Sequence, residues 1–405
     1  MLGKPVSLIP IDEARQRALD AVRPLAAQTV TLAEALDRVL AQDVRARSDV
    51  PPFACSAMDG YAIHAGPAGR RLTLAGESRA GAPSPAALVE GEAIRVSTGA
   101  AVPVGATAVI AQEQTETDGD IILTRADSAV GEHVRAAGED MRDGATVLDA
   151  GTRLGPIELG AAIAAGAASL AVAARPRVAV VSTGDELREP GVALAPGEIH
   201  NSNATMLSGL TGRCGAQALP PAHVADDRGA TIDAIAGALG TGDLIVLSGG
   251  VSVGPHDHVK PALAALGVRE VFWGVALQPG KPTWFGVAGD DTLVFGLPGN
   301  PVSAVVTFSL FVAPALAALQ CGRAPRPPHR YARLGVAVRR NGVREQAVRV
   351  TLRAALDGTL IARPTGAQGS HILSSLLAAD ALAMIPAGEG TIPAGAVVGL
   401  EALVR

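Results

Sequence analysis

Residues 176–187 read PRVAVVSTGDEL. A run of small and β-branched apolar residues ends in Ser182-Thr183-Gly184, with Asp185 and Glu186 just beyond. This is the pattern of a buried strand passing into a glycine turn. Two later stretches repeat it. Residues 243–254, DLIVLSGGVSVG, run as a strand into Ser248-Gly249-Gly250, and residues 292–308, TLVFGLPGNPVSAVVTF, are a strand, a turn and the start of a helix. Helical spacing lies between them, over 203–212 and 231–239. Strands alternating with helices predict an α/β domain with a parallel sheet over 175–325.

Outward from this segment the texture changes. Short alternating runs at 71–76, 93–99, 107–114 and 120–125 predict a β-rich domain over 45–140. Residues 11–22 have helical spacing, and TLAE at 31–34 reads as a capping box opening a second helix through about Leu40. Helix returns over 150–167. Residues 321–330 form a Pro/Arg-rich linker, and the strand signals at 331–338, 346–352, 360–364 and 396–403 predict a small C-terminal β domain.

At 405 residues, 48% hydrophobic and 18% charged, the chain has the composition of a multidomain globular protein and not of a disordered one. Aromatics are 2%, so Ala, Val, Leu and Ile must build most of the core. A net charge of −5 argues against a general nucleic-acid binder. Cys55, Cys214 and Cys321 lie far apart with no CxxC pair, which fits a reducing cytoplasm. The start, MLGKPVSLIPIDEARQ, meets acidic residues before any useful apolar core, so no leader is expected. The apolar stretch 302–319 contains Ser303, Thr307, Ser309 and Pro314, and reads as a buried helix and not as a membrane span.

In open parallel sheets, ligands sit beyond the carboxyl ends of the strands. Glycine turns let backbone N–H groups approach an anion. In the third turn, Asn300 is placed to cap a helix and Pro301 to open it, leaving N–H groups for a phosphate. One such turn is ordinary; three in one domain argue for a ligand site. Glu186, Asp226 and Asp257 follow the same strand ends, and carboxylates beside a phosphate call for a bridging hard cation such as Mg²⁺. Asp227 reads more simply as a solvated rim. His256 and His258, on opposite faces of an extended chain, read as structural or surface histidines. Residues 250–254 match the GxSxG nucleophile elbow, but Pro255 biases Gly254 away from helix, so Ser252 reads better as a hydrogen-bond donor at an anion-binding turn. Asp59, Thr98-Gly99 and Gly138-Glu139-Asp140 sit in turn-rich loops, where chemistry alone leaves turn and site readings both open.

The ordered set SAMDGYA (56–62), STGAAVPVGATAVI (97–110), GED (138–140), STGDELREPG (182–191), SGGVSVG (248–254), PGKP (279–282) and GLPGNPVSA (296–304) resembles the molybdopterin molybdenumtransferase family, relatives of the gephyrin E domain. The resemblance runs from about residue 7 to the C-terminus. It implies a multidomain α/β plus β fold: an elongated domain from 1–44 and 141–174, a β-rich insertion at 45–140, a central parallel-sheet molybdopterin-binding α/β domain at 175–325 and a C-terminal small β-barrel at 326–405. It implies a cytoplasmic homodimer with a shared cleft, touching neither nucleic acid nor membrane. Its partners would be a molybdopterin adenylyltransferase and molybdoenzyme acceptors. The implied reaction takes molybdate and adenylylated molybdopterin, inserts molybdenum, and releases AMP and molybdenum cofactor with the help of Mg²⁺ or a similar divalent cation.

Matched by motif, the resemblance implies that Asp59, Thr98, Asp140, Glu186, Asp226 and Asp257 form the functional polar set, with Glu186, Asp226 and Asp257 on the metal. Thr183, Gly184, Ser248, Gly249, Gly250, Ser252 and Pro298, Gly299, Asn300, Pro301 would cradle phosphate and pterin. Lys260 and Lys281 would supply positive charge, and Arg349 and Ser370 would come from the C-terminal domain. Before PGKP this chain carries Gly274 and Gln278 where some relatives carry lysine. Adenylylation of molybdopterin by the α/β domain, or a non-catalytic pterin-binding scaffold, are the competing readings.

Overall fold

The computed structural model describes residues 8–251, 257–289, 291–321 and 330–405. The chain forms two compact units: one is Thr29–Val172, and the other joins the residues up to Gln28 to Ala173–Arg405.

In the larger unit the central domain runs β1 (Arg177–Thr183), α1 (Ser202–Arg213), α2 (Arg228–Leu239), β2 (Leu244–Ser248), α3 (Val259–Ala265), β3 (Arg269–Trp273), β4 (Trp284–Ala288) and β5 (Thr292–Leu297). The sheet order is β1-β2-β5-β4-β3, with two short strands beside β1. β1, β2 and β5 are parallel, with Ser182 opposite Ser248 and Ser248 opposite Leu297. Their three glycine turns therefore leave the sheet along one edge. The sheet is not wholly parallel as expected: β4 pairs antiparallel with both β5 and β3. The cause is connection length. A parallel partner needs a crossover of roughly a dozen residues, and only three separate Ala288 from Thr292.

Alternate residues of β1 face two cores. Val178 and Val180 join one, and Ala179 and Val181 the other. Five of the six phenylalanines, Phe272, Phe285, Phe295, Phe308 and Phe311, gather in the first. Phe285 and Phe295 lie 4.6 Å apart between ring centroids, and Phe272 lies 5.5 Å from Phe285.

The apolar stretch is helical: α4 (Pro301–Thr307) continues through a π-turn, Phe308–Val312, into a second α-helical segment, Ala313–Cys321. Within Pro301–Gln320 an 18-residue window has mean hydropathy 2.2 and is 83% buried in the protein, as its reading as a core helix requires. Pro314 has no N–H for the Leu310 carbonyl; Arg15 Nε donates there instead, at 3.3 Å. The C-terminal strands β6 (Arg330–Leu334), β7 (Glu345–Ala354), β8 (Leu360–Pro364), β9 (Ala381–Ile385) and β10 (Val397–Ala402) close into a five-stranded barrel in the order β7-β8-β6-β10-β9-β7. Of the linker read at 321–330, residues 322–329 lie outside the described residues.

The smaller unit carries a six-stranded sheet built from Ala108–Ala111, Gly60–Ile63, Glu92–Val96, Arg71–Ser78, Ile121–Thr124 and Thr115–Asp118. The capping box at Thr31 is present: Glu34 accepts from the Thr31 N–H and hydroxyl at 3.1 and 2.8 Å. The helix expected through Leu40 is not. Only Leu32–Glu34 forms a 3₁₀ turn. Asp37, at φ +62°, turns the chain out of helix, and Leu40 bridges to Val172.

Candidate functional site

A cleft of about 820 Å³ opens at the carboxyl ends of β1, β2 and β5. The sheet register brings all three turns to it. Thr183 and Gly184 come from the first, Ser248, Gly249 and Gly250 from the second, and Gly299, Asn300 and Pro301 from the third. Glu186, Asp226 and Asp257 line the same cleft.

The first two turns are held by the backbone of neighbouring strands. Gly184 donates its N–H to Val224 O at 3.2 Å, and Gly249 donates to Leu297 O at 3.1 Å. These two amides hold the fold together and are not directed at an anion. Gly250 stands at φ +63°, and a Cβ there would come within 2.5 Å of Val259 Cγ2 and 2.8 Å of Thr183 Oγ1. A Cβ on Gly184 would meet only the end of the exposed Glu186 side chain, at 2.5 Å, and it is φ +147° that calls for glycine there. Glycine is thus required where the loops approach one another.

The third turn departs from its expected role. Asn300 occupies the N-cap position and Pro301 the first helical position, but the Asn300 side chain makes no cap. Its Nδ2 donates to Ser370 Oγ at 3.1 Å, and the Val302 N–H donates to Ser370 O at 3.2 Å. The barrel segment carrying Ser370 therefore takes up groups that the sequence had offered to a phosphate.

The acids surround the opening without forming a cage. Glu186 and Asp226 are exposed and Asp257 is half-buried. Among the described residues no group of three or more His, Cys, Asp or Glu stands close enough together to hold a metal. The Asp226 N–H donates to Asp185 Oδ1 at 3.0 Å, which fixes its loop against the first turn. Asp227 caps α2 by accepting from the Ala230 N–H at 2.8 Å, a structural role.

Several sequence-named residues lie elsewhere. Lys260 Nζ sits 3.3 Å above the Trp273 ring, where burial lowers its pKa against the opposing pull of Asp257 and Glu270. Lys281 is exposed, and neither lysine lines the cleft. Arg349 is buried in the C-terminal domain at 1% exposure. It donates through Nε to Ser375 Oγ at 3.1 Å and through Nη2 to Gly369 O at 3.2 Å. Burial pushes its pKa down to about 10, so it stays charged at neutral pH. It clamps the segment that carries Ser370 and His371. Ser252 and His256 lie outside the described residues, and with them most of the GxSxG match. Gln278, in place of a lysine, accepts on Oε1 from Asn341 Nδ2 at 2.6 Å.

In the smaller unit, Asp59 and Thr98 come together. Asp59 Oδ1 accepts from the Thr98 N–H at 2.7 Å and from its hydroxyl at 3.1 Å. Asp140 is exposed, and its N–H donates to Val50 O at 3.0 Å.

One stretch outside the motifs also lines the cleft, His200, Asn201, Ser202 and Asn203, together with His371. A signal was present in the sequence. The run HNSN precedes a helical pattern, and Asn201 is its N-cap, accepting from the Ala204 N–H at 3.2 Å. His371, far away in sequence, left none.

Comparison with known proteins bears on the whole chain. Residues 9–166 match a family model described as the MoeA N-terminal region (domain I and II), 179–318 a "Probable molybdopterin binding domain", and 331–403 the MoeA C-terminal region (domain IV). A molybdopterin molybdenumtransferase of Haemophilus influenzae is 34% identical over 400 residues, covering 97% of this chain and 98% of its own. Molybdopterin molybdenumtransferase 2 of Mycobacterium tuberculosis is 39% identical over 394 residues, covering 93% and 94%. The crystal structure of the molybdopterin biosynthesis moeA protein of Pyrococcus horikoshii superposes with a TM-score of 0.83 at 31% identity, covering 98% of this chain and all of that one. With three family segments in the same order and relatives matched end to end, the chain belongs to the molybdopterin molybdenumtransferase family.

Proposed function

We propose that this protein inserts molybdenum into molybdopterin, taking molybdate and adenylylated molybdopterin and releasing AMP and molybdenum cofactor. The observation that carries the reading is the cleft, where three strand-end turns and the carboxylates Glu186, Asp226 and Asp257 share one opening. In this reading Thr183, Gly184, Ser248, Gly249 and Gly250, with Gly299, Asn300 and Pro301, bind the phosphate and pterin. Ser370 fixes Asn300, and Arg349 holds the Ser370 segment in place. Lys260 and Lys281 contribute positive charge from outside the lining.

Carboxylates spread around the cleft, two exposed and one half-buried, suit a hard cation that completes its shell with ligand phosphate and water. Glu186, Asp226 and Asp257 line one opening but do not stand close enough together to hold Mg²⁺ by themselves; they would share it with ligand phosphate oxygens and water, and the ion would neutralise charge on the phosphate. Asp59, Thr98 and Asp140 act on molybdate in a site completed by a second copy of the chain. The protein works in the cytoplasm, between a molybdopterin adenylyltransferase and the molybdoenzymes that receive the cofactor.

The test is reconstitution with adenylylated molybdopterin, molybdate and Mg²⁺. AMP is followed by chromatography and cofactor by activation of a cofactor-free molybdoenzyme. AMP and active cofactor should appear together, without ATP, and both should stop in excess chelator. ATP consumption with adenylylated molybdopterin as product would replace this reading by an adenylyltransferase. AMP release in chelator would reduce the three acids to a solvated rim.

A further inference from the structure

We propose that Asn203 determines which heterocycle the cleft accepts: its Oδ1 receives a hydrogen bond from an amino or ring N–H of the substrate, and the Thr183 hydroxyl meets the acceptor atom beside it. This rests on the reading of the cleft as the seat of an adenylylated pterin.

Asn203 stands in the first turn of α1, lines the cleft, and is 9% exposed. Its Nδ2 donates twice, to Ser248 Oγ at 2.9 Å and to Gly299 O at 2.8 Å. A backbone carbonyl only accepts, so the second bond decides which end of the amide is nitrogen. The orientation of Oδ1 follows. Oδ1 is buried and has no hydrogen-bond partner among the described residues. Thr183 Oγ1, in a residue 8% exposed that lines the same cleft, is in the same condition. Buried polar atoms without partners are rare, and two in one cleft point to a ligand that satisfies both.

Their chemistry selects the ligand group. An amide oxygen cannot bond a phosphate oxygen, since both accept. Asn203 Oδ1 therefore reads an N–H and not the anion. Ser182 and Ser248 are opposite in register on adjacent parallel strands, so Thr183 ends the strand next to the one whose Ser248 anchors Asn203. An acceptor on the first turn of α1 and a hydroxyl at the end of β1 complement an amino-substituted pyrimidine edge, which presents N–H beside a ring nitrogen. Both the pterin and the adenine of the proposed substrate carry such an edge.

The experiment separates the two sources. Calorimetric affinities of the full chain and of Asn203→Ala are measured for two probe pairs: pterin against lumazine, which has oxo for the 2-amino group, and AMP against IMP, which has oxo for the 6-amino group. The full chain should favour the amino member of one pair by roughly tenfold. Asn203→Ala should bring that ratio close to one. Loss in the pterin pair assigns the edge to the pterin, and loss in the AMP pair assigns it to the nucleotide. Because each pair is nearly isosteric, the ratio cancels any general loosening of the turns. Thr183→Val should lower the affinity of the same amino probe and serves if Asn203→Ala folds poorly. A preference that survives both substitutions, or a full chain that does not discriminate within either pair, overturns the inference alone. A full chain that binds none of the four probes overturns the proposed function with it.

Discussion

Asp59 and Arg349 show how one residue's partners decide its reading. A turn aspartate bonded to its own loop would be replaceable, but Asp59 holds the backbone and hydroxyl of Thr98, 39 positions away. Asp59→Asn keeps an oxygen acceptor for both bonds and removes the charge. We expect turnover to fall by roughly 10- to 100-fold with substrate affinity nearly unchanged, as for a group that acts after binding. Steady-state kinetics with separate binding measurements checks this, and full turnover would leave Asp59 as a turn residue. Arg349 is the opposite case. Its guanidinium is spent on Ser375 and on the Gly369 and Ala367 carbonyls. Arg349→Met fills the space but strands those acceptors, which predicts a loss of about 2 kcal/mol by urea denaturation. An unchanged midpoint together with lost molybdate binding would instead make Arg349 a substrate contact.

At the level of the element, the turn after β2 carries the tightest constraint. Gly249 and Gly250 both have positive φ, +91° and +63°, and the second is wedged between Val259 and Thr183. A methyl group on Gly250 must displace α3 or the first turn. Gly250→Ala is therefore expected to cost about 1–3 kcal/mol in thermal unfolding and to weaken nucleotide or pterin binding by tenfold or more. Alanine tolerated in both measurements would show that the close approach is not required. The same turn is held from its far side: Trp273 Nε1 donates to Val251 O at 3.1 Å while its ring carries Lys260. In the long helix, Pro314 withholds the i+4 N–H from the buried Leu310 carbonyl, and Arg15 supplies a donor there.

Across the larger unit, charge is balanced where the N-terminal helix Ile11–Asp20 meets the barrel. Arg15 bonds Glu401 at 2.7 Å, close to Asp12 and Glu345. Burial first, and then the carboxylates of Asp12 and Glu401, push the Glu345 pKa above its ordinary 4.5, with Arg15 opposing. The folded state therefore holds this proton more tightly than the unfolded chain. Its stability falls as pH rises from the ordinary value through the raised one, because the native carboxylate must then ionise against its surroundings. Glu345→Gln removes that cost. Tm should rise by roughly 1–3 °C at about pH 7 and the gain should vanish as pH falls below the ordinary carboxylate value, where Glu345 is protonated in both states. A variant less stable at neutral pH would mean that the ionised carboxylate is favourably paired.

The sequence by itself determined the strand-turn pattern of the central domain, the buried helix over 302–319 and the order of family motifs. Each of these is written in neighbouring residues: apolar runs, glycine where the chain must turn, and a helix whose polar residues are few and small. It also brought Glu186, Asp226 and Asp257 to one cleft, because parallel strands present their carboxyl ends along one edge. Tertiary structure alone decided the rest. The helix read from Thr31 to Leu40 ended after one turn because Asp37 leaves helical φ and Leu40 finds Val172. Asn300 gave up its cap to Ser370, 70 positions away, and Asn203 became a cleft residue through Ser248 and Gly299, 45 and 96 positions away. Local patterning fixes φ, ψ and which face is apolar, but a polar side chain goes to whichever partner the folded chain brings within 3 Å or so, and no window of sequence contains that partner.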